Sequence, residues 1–176
     1  MRTLLVFVLL LAPCIIHAGT VTGRVSRVTD GNTLVVVDAN HAQHTIRLLG
    51  IAAPARDLAY GSKSKQRLAV AVAGKFVVVE YEKRDRHERK LGKVLLNKQD
   101  INLEQIKAGL AWHYLEHHDK QTRIDWQKYA DAELEARRNK RGFWADRAAV
   151  SPRGQPQGQW GRVIEPPPFM DGSEAR

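Results

Sequence analysis

A series of β-branched runs, cut at short intervals by turn residues, narrows the folds open to this chain. Residues 21–28 read as a strand that stops at Thr29-Asp30-Gly31-Asn32, residues 33–37 form a second run, and Asp38-Ala39-Asn40 turns the chain. Residues 45–51 return as Thr-Ile-Arg-Leu-Leu-Gly-Ile. Three strands at this spacing predict a meander. Pro54 ends it, because proline has no N–H for a ladder and restricts Ala53 before it.

Residues 60–73 then carry a helical pattern, with Leu68 and Val72 at i, i+4 and Gly74 as the stop. Residues 75–81 and 91–96 are two further strand candidates, separated by a charged loop over 83–90. Leu103, Ile106, Leu110 and Tyr114 lie on one helical face, which predicts a second helix that passes or kinks at Gly109. Thr122 with Asp125 three residues on caps a third, whose apolar stripe is Trp126, Tyr129, Ala132 and Ala136 and which ends at Gly142. Five strands with a helix after the third, then two more helices, predict an α+β fold: a five-stranded, partly open OB-type Greek-key β-barrel with three helices. Trp112, Trp126, Tyr129 and Trp144 fit helix-packing positions and are expected in its core.

The ends do not share this patterning. Residues 1–18 hold one early positive charge and an unbroken apolar stretch shorter than a membrane span, ending in Ile16-His17-Ala18. That predicts a cleavable secretory signal, hence an exported protein, periplasmic or secreted. Cleavage after Ala18 removes Cys14, the single cysteine, and so leaves no disulfide framework and no thiolate zinc site. Residues 148–176 hold five of the seven prolines and no hydrophobic period, which predicts a disordered tail. The domain is therefore expected over 19–147. With 43% apolar residues in 176, the chain has enough to bury one core and too few residues for several.

A net charge of +9 predicts an acidic partner: nucleic acid, an anionic membrane surface or an acidic polymer. Charge alone does not choose among them. The basic runs over 83–90 and 137–147, with Lys83, Arg84, Arg86 and Lys90 in the first, form either a track for nucleic-acid phosphates or a solubilising surface. His113 and His117 fall at i, i+4 of the second helix, beside His118, where either a shared transition metal or an exposed polar face explains them. His41 and His44 are expected to be solvated. No serine or cysteine nucleophile constellation appears.

In order along 25–144, the chain holds Val28-x-Asp30-Gly31-x-Thr33, Ile46-Arg47-Leu48-Leu49-Gly50-Ile51-x-x-Pro54, Gly74-Lys75, and Arg89-x-Leu91. Asn102-Leu103, Gly109-Leu110-Ala111-Trp112, Tyr129-x-x-Ala132-Glu133-x-x-Ala136-Arg137 and Gly142-Phe143-Trp144 follow. The ordered set resembles the staphylococcal nuclease-like family. That resemblance implies calcium-dependent hydrolysis of phosphodiester bonds in DNA or RNA. It makes Arg47 and Arg89 the pair that grips the scissile phosphate, a task suited to guanidinium groups because they stay charged and bind oxygens bidentately.

The cation side departs from the family pattern. Its Asp-Gly-Asp-Thr reads Asp30-Gly31-Asn32-Thr33, and its Asp-x-Pro-Glu reads Ala52-Ala53-Pro54-Ala55. The aromatic-glycine turn before the second arginine reads His87-Glu88. Between residues 19 and 80 the carboxylates are Asp30, Asp38, Asp57 and Glu80, against the roughly six to eight oxygens that Ca2+ takes. Asp30, Asn32 and a loop-delivered Asp57 would form at most a weak site. The resemblance implies that the glutamate replaced by Ala55 activates or orients the attacking water, and losing a catalytic base removes about 10²- to 10⁴-fold in rate. Two expectations follow: a monomeric nuclease of reduced activity, or a catalytically silent module that binds nucleic acid or phosphate on the same fold.

Overall fold

The computed structural model describes residues 19–85 and 87–146, without the side chain of Lys83. The expected signal at 1–18, the expected tail at 148–176 and Arg86 lie outside the described residues. The elements run β1 (Gly19–Asp30), β2 (Thr33–Asp38), β3 (Gln43–Leu48), β4 (Ile51–Ala52), α1 (Gly61–Val72), β5 (Phe76–Arg84) and β6 (Lys90–Leu96). They continue with β7 (Gln99–Asp100), α2 (Ile101–Lys107), β8 (Trp112–His113) and α3 (Arg123–Arg138), with 3-10 helices at Leu115–Lys120 and Gly142–Ala145.

Strand order β3-β2-β1-β5-β6 closes on itself because β3 also pairs in parallel with β6, Arg47 opposite Leu91. The barrel is therefore closed rather than partly open, and its five strands are those expected. Val25, Leu34, Val36, Ile46, Leu48, Val79 and Val94 fill it, with Leu68 and Val72 of α1 and Ile106 of α2 packed on the same core. Trp112, Trp126, Tyr129 and Trp144 are buried, as expected.

Polar side chains lock the helices to the barrel. Thr122 accepts the Asp125 N–H as the α3 cap (3.1 Å), and the Asp125 carboxylate takes the Lys93 ammonium of β6 at 2.9 Å. Buried Asn102 of α2 accepts from Val94 N–H and donates to Gly92 and Leu49 carbonyls at 3.0–3.1 Å. Asp100 caps α2 through the Leu103 N–H and receives the Tyr129 hydroxyl. Burial raises the Asp100 carboxyl above its usual value.

Two expected elements end early. Strand β3 stops at Leu48, because Gly50 turns at φ 72° and sends Ile51-Ala52 out to pair with Trp112-His113 of β8. Helix α2 stops at Lys107. Gly109 sits at φ 65°, and a Cβ there would lie 2.1 Å from the Arg141 carbonyl oxygen, so the chain must leave the helix and pass close under that backbone. Leu110 and Tyr114 are accordingly not helical, and the expected histidine face does not form. His113 lies in β8, its Nε2 3.1 Å from Gln121 Oε1 and its ring edge-on to Trp126 and Tyr129, while His117 lies in the 3-10 helix.

Candidate active site

The turn between β1 and β2 forms one wall of the site. Asp30 Oδ1 accepts the Asn32 N–H at 2.9 Å, an Asx turn. A Cβ on Gly31 would meet Ser64 Oγ at 2.0 Å and the Ala53 methyl at 2.7 Å, so glycine alone fits between the turn and its neighbours. Gln105 of α2, buried, donates from Nε2 to the Gly31 carbonyl at 3.0 Å and to that of Ser64 at 3.1 Å. Asn32 is 2% exposed, and its Nδ2 donates to the Ile51 carbonyl.

Arg47 reaches this turn from β3 and donates from Nη1 to Asn32 Oδ1. The parallel β3–β6 seam brings Arg89 into its field. Burial first, and the Arg89 charge second, lower the Arg47 guanidinium from its ordinary value. Arg89 is held differently. Its Nε donates to Asp85 Oδ2 at 2.7 Å and Nη2 lies 2.6 Å from the same oxygen, while Asp85 Oδ1 accepts the N–H groups of His87 and Arg89. Burial alone would raise the Asp85 carboxyl; the hydrogen bonds from Arg89 and His87 outweigh it and hold it below the usual carboxylate range.

His117 stands at the third side. Its Nδ1 accepts the Gly50 N–H at 3.3 Å, so the ring proton sits on Nε2. Burial, then the charges of Lys120 and Arg47, push its pKa down to about 4, which keeps the imidazole neutral. Tyr114 crosses it edge-on at 4.7 Å and donates its hydroxyl to the Glu116 carboxylate.

Asp30, Asn32 and Arg47 line a cleft of about 460 Å³ with Ala53, Ala55 and Arg56 on the facing loop. Asp57 is exposed on that loop and does not line the cleft; Arg56 does, its Nη2 donating to the Thr29 carbonyl at 2.9 Å. The calcium implied by the resemblance does not fit this donor set. The carboxylate in the cleft wall is Asp30, with Oδ1 already taken by the turn, and the Asn32 amide oxygen faces a guanidinium. Among the described residues, no group of three or more His, Cys, Asp or Glu side chains is placed to hold a metal ion.

The basic track is only partly assembled. Arg84 is exposed, 3.5 Å from the Glu88 carboxylate, and Lys83 lies on β5. Lys90 is not on a surface track: it is 7% exposed, its ammonium 3.2 Å from His44 Nδ1 and 5.0 Å from the Tyr81 ring centre. His44 is half-buried rather than solvated, with Nε2 2.7 Å from Asp38 Oδ2. Strand alternation explains this, since Lys90, Gly92 and Val94 share the inward face of β6. In the second run, Arg137 is drawn onto the Glu133 carboxylate and over the Trp144 ring.

Arg56, Gln105, Asp85 and the placing of His117 are not among the expectations that the sequence raises. Asp85 had a signal, four residues before Arg89. Arg56 had a weaker one, a cation two residues past Pro54.

Comparison with known proteins gives the site its context. The family model described as staphylococcal nuclease homologue matches residues 45–146. The chain is 36% identical over 153 residues to an uncharacterized endonuclease of Escherichia coli O157:H7, an alignment covering 86% of this chain and 95% of that one. An uncharacterized endonuclease of Haemophilus influenzae is 35% identical over 142 residues, covering 80% and 73%. A micrococcal nuclease of Shigella flexneri is 34% identical over 139 residues, covering 74% and 77%. With its closed five-stranded barrel, its arginine seam and these relatives, the chain belongs to the staphylococcal nuclease homologue family.

Proposed function

We propose that this protein engages nucleic-acid phosphodiesters in the cleft at Arg47 and hydrolyses them slowly. The observation that carries this is the β3–β6 seam, which sets Arg47 beside Arg89 at the mouth of a turn built from Asp30 and Asn32. Two guanidinium groups suit the charge that develops on equatorial phosphoryl oxygens. Turnover is low because the facing loop presents Ala53 and Ala55, which have no group to orient or deprotonate a water. The protein acts after export, a part of the proposal that rests on the apolar leader of the sequence.

A second reading has its own support: Arg47 has a neutral partner, and the Asp30 carboxylate is engaged by the turn. Under it the cleft grips phosphodiesters without cleaving them. One experiment separates the two. Labelled single- and double-stranded DNA and RNA are incubated with purified protein in calcium, magnesium, manganese or chelator, beside an identically prepared Arg47→Ala variant. Cleavage that the variant loses supports the slow nuclease. Salt-sensitive binding without cleavage supports the silent grip, and neither would overturn both.

A further inference from the structure

We propose that Arg56 is a phosphodiester-binding residue that supplies, from the loop after β4, positive charge the family obtains from a divalent cation. This rests on the cleft being the phosphodiester site and adds how that site is charged. Ala52 and Ala55 stand where the family pattern has carboxylates, and the loop lines the cleft with Ala53 and Ala55, whose side chains have no donor atom, and with Arg56, which shares the cleft with Arg47. Among the described residues neither Arg47 nor Arg56 has an ion-pair partner: Arg47 meets the Asn32 amide and Arg56 the Thr29 carbonyl. Two guanidiniums without a direct ion-pair partner thus lean on opposite ends of the Thr29–Asn32 turn, and the carboxylates of Asp30 and Asp85 attract Arg47 only through space.

A divalent cation entering this cleft meets net positive charge and an incomplete oxygen set. A phosphodiester meets the reverse, with a non-bridging oxygen available to each fork of donors. The Thr29 contact also holds Arg56 in place before a ligand arrives, so less freedom is lost on binding.

The test is equilibrium binding of a fluorescein-labelled single-stranded oligodeoxynucleotide, at fixed salt, in chelator and in calcium. Wild type is expected to bind equally in both. Arg56→Ala is expected to weaken binding about tenfold or more, as is Arg56→Gln, which keeps a polar side chain of shorter reach and drops the charge. Melting curves identify a variant that has merely lost the loop staple. Wild-type affinity in Arg56→Gln, with Arg47→Ala still impaired, overturns the role of Arg56 and leaves the cleft assignment standing. Wild-type affinity in both variants overturns the cleft assignment as well. Binding that disappears in chelator and returns with calcium overturns the substitution of guanidinium for cation.

Discussion

Two aspartate-led turns flank the arginine seam, and they treat their arginines in opposite ways. In the β1–β2 turn Asp30 Oδ1 accepts the N–H two residues on, and in the β5–β6 turn Asp85 Oδ1 does the same for His87. There the likeness ends. Asp85 turns its second oxygen onto Arg89 and forms an ion pair, whereas Arg47 is met by the uncharged amide of Asn32. One guanidinium is paired directly by its own turn, and the other feels the carboxylate of its turn, Asp30, only through space. Charge available to a ligand is therefore concentrated on the Arg47 side, where Arg56 adds to it.

The largest expected effect that tests this contrast comes from pH. In the fold His117 takes a proton only near pH 4, against 6.5 for an ordinary imidazole. Between those values the unfolded chain binds more protons, so stability is full above pH 6.5 and falls as the pH drops toward 4. Partial solvent screening leaves a loss on the order of 2 kcal/mol. Urea midpoints at stepped pH measure it, and His117→Asn flattens this part of the profile. An unchanged slope in that variant would mean that His117 is not the group that titrates across this window. The Asp85 turn, with its lowered carboxyl, holds through this window and gives way only at more acid pH.

A smaller effect comes from making the first turn resemble the second. Asn32→Asp sets a carboxylate against Arg47, and metal-free oligonucleotide affinity is expected to fall about tenfold. Titration in chelator at low salt measures this; undiminished affinity would mean that the Arg47 charge is not what the ligand meets. The reverse exchange, Asp85→Asn, is the smallest. It frees Arg89, tightens salt-sensitive binding by about two- to threefold, and weakens the turn by on the order of 1 kcal/mol. Looser binding in that variant would show that Arg89 works through its position rather than its charge.

Much of this molecule was legible because its signals are local. The meander, the Thr122 cap and the α3 stripe each depend on residues within a turn or two of one another. The failures have equally definite causes. Hydrophobic spacing runs straight through Gly109 because periodicity carries no information about φ, so α2 looked longer than it is. Lys90 looked like surface because lysine usually is, although period-two alternation with Gly92 and Val94 already pointed it inward. Arg47 and Arg89 are legible through motif resemblance. Arg56 sits in a loop with no periodicity, and its reach to Thr29 crosses 27 residues of sequence.

Residue order dictates which chemical groups the cleft has to work with: an amide at 32, methyl groups at 53 and 55, and cations at 47, 56 and 89. It determined the strands and turns that carry them, because backbone sterics and short-range hydrogen bonds act between near neighbours. How those charges are shared out depends on the closed fold. Closing β3 on β6 brought the two arginines together, and the fold gave Asp85 to one and Asn32 to the other. Electrostatic energy depends on separation in space and on burial, and neither is written in the order of residues along the chain.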